Sequence, residues 1–365
     1  MISFFFPEYA VWETTLACNL NCRHCGSTAG AARSRELSSQ EALGICDQLI
    51  DVGLLRVILS GGETLFRKDW PELVGALAHG GMQVGLITNG VALSESGFQQ
   101  RYRRRWLELQ ADGVSFSLGI SLDGLADAND WMRSRAGCFQ EVLRAMAFVQ
   151  DLGQPLSLLT TVTRKNLAQL PELYDSVLDR FTPYAWQFQT ANNYGRMKEF
   201  PDMFLNREEY LYLVETMAEL RSRRDACMVF PADCIGYYSR EEARLRDEPW
   251  KGCQAGIRVI GIQSNGNLKG CLSLIDDCFV EGNLLQRHLK DLWYDERAFA
   301  YNRGFTVADL EGFCYDCPHG RVCRAGCRGV SHSFYGRMYK APYCAHAFRN
   351  RGVAEPAGPD KQAKP

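Results

Sequence analysis

Residues 14–27 read TTLACNLNCRHCGS and set Cys18, Cys22 and Cys25 in a C-x3-C-x2-C run. Three thiols this close in sequence converge on one centre or stand as separate reactive groups. Thiolates are soft ligands and select zinc or an iron–sulfur cluster over hard cations. A structural zinc wants four ligands, and within this loop only His24 offers a fourth. An iron–sulfur cubane held by three cysteines would instead keep one iron open to another molecule. From this run alone a zinc knuckle, free thiols and an iron–sulfur site all stay open.

Working outward, the run closes a strand-like segment, VWETTLA, and opens a regular alternation that lasts to about Thr190. Strand-like runs rich in β-branched and aromatic residues follow: LRVILS, QVGLIT, VSFSLGIS, LSLLTTVT and AWQFQT. Between them helical patterns cover residues 39–53, 69–80, 94–109, 138–153 and 167–180. Ser38 with Glu41 three residues on forms a capping-box pattern at the first. Six β–α units predict an α/β fold with a parallel sheet covered by helices. Such a sheet gathers site residues at the carboxyl ends of its strands. Periodicity does not separate a barrel from a doubly wound sheet.

The chain has 365 residues, 46% apolar and 23% charged, enough for about two globular domains. A net charge of −2 gives no reason to expect a nucleic-acid partner. No run of 18 apolar residues and no signal peptide is present, so a soluble cytoplasmic protein with no membrane partner is expected. Fifteen cysteines, an odd number clustered at short spacings, favour metal sites in a reducing compartment over disulfides.

The strand ends carry LSGGET (Gly61, Gly62, Glu63), TNG (Thr88, Asn89, Gly90) and ISLDG (Ser121, Asp123), then NDWMRSRAGCF with Arg133. With the cysteine run, and in this order, they make residues 10–190 resemble the radical S-adenosyl-L-methionine (radical SAM) enzymes. The resemblance implies a partial (β/α)6 TIM-like barrel. It implies a [4Fe–4S] cluster on Cys18, Cys22 and Cys25, with the amino and carboxylate groups of SAM on the fourth iron. Gly61, Gly62 and Glu63 would bind the SAM amino group, Ser121 and Asp123 would lie near the ribose, and Arg133 would face the carboxylate, with Arg135 as a competing choice. An ordinary turn competes for GGE, TNG and Asp123, and a solvated arginine for Arg133. His24 stands where the family often has an aromatic residue beside adenine. Gln187, Gln189, Asn192 and Arg196, in AWQFQTANNYGRM, are candidates to line the substrate pocket.

Residues 206–224 have helical spacing and bridge to a second part, giving a division at 1–224, 225–350 and a 351–365 tail expected to be disordered. After Cys253, GIRVIGIQSNGNLKGC reads as a β-hairpin turning at Asn265-Gly266 and ending at Cys271. CYDCPHGRVCRAGC then gives Cys314, Cys317, Cys323 and Cys327, and PYC gives Cys344. This seven-cysteine pattern resembles the SPASM extension of radical SAM enzymes, a smaller cysteine-rich domain with two auxiliary [4Fe–4S] clusters; two zinc ribbons are the alternative. The family pattern assigns Cys314, Cys317, Cys323 and Cys344 to the distal cluster and Cys253, Cys271 and Cys327 to the nearer one. Cys234 is preferred over Cys278 as its fourth ligand, an open iron being the other choice. Cys46 and Cys138 read as small buried hydrophobes, and Cys227 is unassigned.

The resemblance implies an oxidoreductase that cleaves SAM reductively to a 5′-deoxyadenosyl radical, which abstracts hydrogen from an unactivated C–H bond. Auxiliary clusters would take the second electron, giving a crosslink, a thioether or a dehydrogenation. A ribosomally made peptide is the expected substrate. Sulfatase-type maturation and sugar or aminocyclitol dehydrogenation are the enzyme alternatives, and a non-catalytic electron carrier or scaffold is the alternative of another class. Flavodoxin or ferredoxin would be the reductant. Because Cys18 already lies in the first loop, either a leader peptide docks elsewhere, or a separate leader-peptide-binding protein presents it, or the substrate is not a leader peptide. No residue is assigned as catalytic acid or base.

Overall fold

The computed structural model describes residues 5–223 and 227–350; the tail at 351–365 and residues 224–226, beside the division between segments, lie outside the described residues. The expected strands form as β1 (Tyr9–Glu13), β2 (Arg56–Ser60), β3 (Gln83–Thr88), β4 (Phe116–Ser121), β5 (Leu156–Val162) and β6 (Ala185–Thr190). They alternate with α1 (Ser39–Asp51), α2 (Trp70–His79), α3 (Ser96–Ala111), α4 (Ala126–Arg133), α5 (Cys138–Asp151) and α6 (Leu170–Leu178). All six strands are parallel and pair in sequence order. The capping box forms, Glu41 N donating to Ser38 and Ser38 N to Glu41. Cys46 and Cys138 are fully buried in helices.

Helix α4 was not expected. Its eight residues are too few for the helical period to stand out, and its hold is tertiary. Asp130 accepts from Gly137 N at 2.5 Å and Phe139 N at 2.7 Å, tying α4 to the start of α5, while Ala128 and Met132 are buried.

The sheet extends at both edges. After α7 (Arg207–Ser222), capped by Asn206 and Glu209, β7 (Met228–Pro231) lies parallel to β6. On the other side β8 (Val259–Ile262) lies parallel to β1. It turns through residues 263–266 into β9 (Asn267–Lys269), the expected hairpin, and β10 (Gly282–Asn283) completes a ten-stranded sheet in the order β10-β9-β8-β1-β2-β3-β4-β5-β6-β7. Gly266, at φ +87°, supplies the left-handed turn position. The result is a partial TIM-like barrel whose first strand is shared with the cysteine-rich part. That part carries short helices: α8 (Glu242–Leu245), α9 (Leu289–Trp293), α10 (Ala300–Arg303), α11 (Gly320–Cys323), α12 (Arg328–Tyr335) and α13 (Ala345–Asn350). Among the described residues no helix is long and apolar enough to cross a membrane.

In the barrel core Trp186 stacks on Phe188 (5.4 Å between centroids) and Tyr174 (5.7 Å), and its Nε1 donates to Thr160 Oγ1 at 2.8 Å. Trp186→Ala removes these contacts and leaves a cavity, so urea unfolding should show a loss of about 3–5 kcal/mol.

Candidate functional site

The cysteine loop leaves β1 at the carboxyl edge of the sheet, and its course is fixed by backbone contacts. A Cβ on Gly62 would lie 2.3 Å from Ala17 O and 2.5 Å from Leu16 O, and one on Gly61 (φ +155°) 2.3 Å from Thr15 O. Only glycine lets the end of β2 come so near, and Gly62 N and Glu63 N then donate to Thr15 O and Ala17 O, each at 2.7 Å. Gly195 does the same from the end of β6: at φ +54°, a Cβ there would meet Cys25 O at 2.3 Å. Arg196 follows, donating from its backbone to Cys25 O (3.2 Å), from Nε to Cys22 O (2.8 Å) and from Nη1 to Ala29 O (3.1 Å). Arg23 reaches the other way, its backbone to Met132 O (2.8 Å) and its guanidinium to Trp131 O, over whose ring it lies at 4.7 Å.

Among the loop's thiols, Cys25 Sγ accepts from Ala29 N at 3.4 Å. Cys22 is buried while Cys18 and Cys25 are partly open. Burial pushes the Cys22 thiol up to about 12, and Cys25 and Cys18 add to the rise while Arg133 opposes it.

Glu63 is fully buried and faces the next strand end. Its Oε1 accepts from Thr88 Oγ1 (2.7 Å) and Leu65 N (3.1 Å), and its Oε2 from Asn89 N (2.8 Å). Burial raises its carboxyl above the usual range, against these bonds. Asn89 in turn donates to Asn19 Oδ1 at 2.7 Å and lies 3.7 Å from Cys18 Sγ. Glu63 thus joins GGE to TNG, and TNG to the first cysteine.

Asp123 and Arg133 hold each other. Arg133 Nη2 is 2.6 Å from Asp123 Oδ2, with side-chain exposures of 6% and 1%. Two opposite charges buried this deeply need a partner. Asp123 Oδ1 also accepts from Thr161 N at 2.8 Å, and His24 Nε2 stands 3.4 Å from Oδ2. Arg135, by contrast, makes a bidentate pair with Glu141 at the surface, 2.7 Å on each arm. Ser121, Gln187, Gln189 and Asn192 are half-buried at the strand ends, Gln189 donating to Thr161 Oγ1 at 3.1 Å. Arg196, expected beside substrate, serves the cysteine loop; its guanidinium spacing to that loop could not be read from a sequence separation of more than 160 residues.

Among the later cysteines, electrostatic influence runs within two groups. Burial raises Cys327, and Cys253, Cys234 and Cys271 oppose its ionisation further. Burial also raises Cys323, with Cys344, Cys314 and Cys317 acting on it, and pushes Cys344 up to about 12. Cys278 is exposed. A seam links the sets to the first loop: beside Gly195, Tyr194 Oη is 2.6 Å from His332 Nδ1 on α12, and Asn193 Nδ2 donates to Ser333 O at 3.0 Å. Buried Lys269 donates to the carbonyls of Leu274, Ile275 and Asp276 at 2.7–3.1 Å and fixes the turn after Cys271. Sequence reading gave no role to Asn193, Tyr194 or Lys269.

This geometry defines an α/β barrel with a thiol centre at its carboxyl edge and further buried thiol groups in its C-terminal part. Residues 12–177 match the radical SAM superfamily and form a radical SAM domain. It is 27% identical to an AdoMet-dependent heme synthase of Nitratidesulfovibrio vulgaris, covering 92% of this chain and 91% of that protein. It is 28% identical to the mycofactocin maturase MftC of Mycolicibacterium smegmatis, covering 88% and 78%. The solved structure of Streptococcus suis SuiB bound to S-adenosylmethionine overlays with a TM-score of 0.68 at 18% identity, over 89% of this chain and 73% of that one, and shows the fold.

The family implies a [4Fe–4S] cluster and SAM, and the residues present fit them. Three thiols share one loop, and beside Cys22 the buried Arg133 Nε has no hydrogen-bond partner among the described residues. Among the described residues no three His, Cys, Asp or Glu side chains close on a single metal ion.

Glu63→Gln replaces an acceptor-only group by one whose NH2 must face either Asn89 N–H or the Thr88 and Leu65 donors. At least one buried donor then loses its acceptor, at about 1–3 kcal/mol each. Thermal unfolding should occur at lower temperature than in the parent; an unchanged transition would refute the linking role.

Proposed function

We propose that the protein is a radical SAM oxidoreductase with three [4Fe–4S] clusters that oxidatively modifies a ribosomally made peptide. The observation that carries this is the grouping of thiols: Cys18, Cys22 and Cys25 on the first loop, and two sets of mostly buried thiols in the C-terminal part. In this reading Cys253, Cys271, Cys327 and Cys234 hold the nearer auxiliary cluster, and Cys314, Cys317, Cys323 and Cys344 the distal one. The electrostatic proximity of Cys234 to Cys327, set against the exposure of Cys278, supports that choice of fourth ligand. The division at 1–224 and 225–350 follows the same grouping.

When bound, cluster and SAM supply reductive cleavage of the sulfonium and a 5′-deoxyadenosyl radical. The chain's own residues bind and orient. Arg133 offers its free Nε to the SAM carboxylate while Asp123 keeps the guanidinium in place. Ser121 and Asp123 lie on the ribose side, and Gly61, Gly62 and Glu63 shape the backbone that meets the SAM amino group. Gln187, Gln189 and Asn192 face the substrate. Flavodoxin or ferredoxin supplies electrons, and a separate protein presents the peptide leader. Peptide modification draws support from the relatives MftC and the PqqA peptide cyclase of Rhizobium meliloti, and from the likeness to SuiB, solved with precursor peptide SuiA.

A second reading rests on the AdoMet-dependent heme synthases, which match at over 90% of the chain. It makes the substrate a porphyrin. Mass spectrometry after anaerobic turnover with each substrate class separates the two, since only one should gain an oxidised product.

Anaerobically reconstituted protein should contain about twelve irons and twelve sulfides, four of each per cubane. Replacing Cys18, Cys22 and Cys25 together by Ala should remove about a third of the iron, by that count, and all release of 5′-deoxyadenosine. Zinc in place of iron in anaerobically purified protein would sink the reading.

Cys317→Ala acts far from the SAM loop. It should keep SAM cleavage and lose most product, because the substrate electron has lost its way out. Loss of both activities together would mean that the distal site only staples the fold, and full product formation would refute the electron-acceptor role.

A further inference from the structure

Three cationic side chains are buried among the described residues: Arg133, Lys269 and Arg328. Arg133 has the Asp123 carboxylate, and Lys269 has three carbonyl oxygens. Arg328 is different. It is fully buried, and no carboxylate of the described residues pairs with it. Its Nη1 donates to Arg324 O and to Met338 O (2.8 Å), and its guanidinium lies 4.2 Å over the Tyr339 ring, but Nε and Nη2 have no hydrogen-bond partner among the described residues. A buried guanidinium with two idle donors is costly unless a negative group compensates it.

One residue before Arg328 stands Cys327, a member of the first of the two thiol sets, whose thiols would carry negative charge as cluster ligands. Arg328 follows Cys327, the N-cap of α12, and interacts electrostatically with both Cys327 and Cys253. The first turn of the same helix starts at the Cys327 thiol, and Arg328 opposes the rise that burial imposes on the Cys253 thiol. A helix N-terminus carries partial positive charge. Helix end and side chain therefore both bear on this thiol set.

We infer that Arg328 and the N-terminus of α12 form the positive wall of the nearer auxiliary cluster and raise its reduction potential. The inference rests on the cluster assignment proposed above. One electron added to a thiolate-ligated cubane makes it one unit more negative, with no other change in its bonds. A fixed positive charge and N–H donors beside its sulfurs favour the more negative form, and net charge and hydrogen bonds to sulfur are what set such potentials. The wall therefore makes this cluster a better acceptor for an electron leaving the substrate.

Arg328→Met keeps the apolar stem and removes charge and donors. Iron per chain is measured first, then each cluster's midpoint potential by redox titration followed by electron paramagnetic resonance. Iron should stay at the parent level while one auxiliary midpoint moves negative by at least a tenfold change in the one-electron equilibrium, 59 mV. The other two midpoints should hold. Three clusters present with all midpoints unmoved overturn the inference alone. A parent protein with a single auxiliary signal overturns the cluster assignment and the inference with it. If Arg328→Met does not fold, Arg328→Lys serves. It keeps the charge but loses the planar fork, so a smaller negative shift of the same midpoint supports the wall and an unmoved midpoint overturns it.

Discussion

Everything at this site depends on how closely three glycines let backbone approach backbone. Gly61, Gly62 and Gly195 bring the ends of β2 and β6 against carbonyls of the cysteine loop at distances that no Cβ would permit. The loop is short, polar and without regular structure, so by itself it would sample many conformations. Hydrogen bonds from Gly62, Glu63 and Arg196 to its carbonyls remove that freedom. The thiols are then presented from a fixed frame.

Buried charge completes the frame. Asp123 and Arg133 neutralise each other at the end of β4, and Glu63 is held by three donors between β2 and β3. Each arrangement lets an ionic or polar group lie deep in the site, where water is scarce and electrostatic effects are large. Neighbouring strand ends are thereby coupled, because a shift of one leaves its partner's charge or donor unsatisfied. Arg328 applies the same physics in the C-terminal part without a carboxylate partner.

The sheet explains how the two parts act as one body. β8 pairs with β1, the strand that delivers the cysteine loop, so Cys253 and Cys271 stand at the two ends of a hairpin anchored on that strand. On the far side Asn193 and Tyr194 reach from β6 to α12, just after Cys327. The first loop and the nearer thiol set are thus tied together from both directions.

Much was legible in the sequence. Alternating strand and helix signals placed six strands, because buried parallel strands need long β-branched and apolar runs. Ser38, Glu41, Asn265 and Gly266 marked their cap and turn through local hydrogen bonding and φ alone. Cysteine spacing supplied the grouping of thiols that the proposed clusters use. What the sequence could not carry was any fact settled between residues far apart in the chain. It did not reveal that Gly61 and Gly62 face the loop's carbonyls, that Arg196 clamps Cys22, that Asp123 and Arg133 pair, or that β8 joins β1. Local chemistry is written in neighbouring residues, whereas close approach and charge pairing exist only once the sheet has brought distant strand ends to one edge.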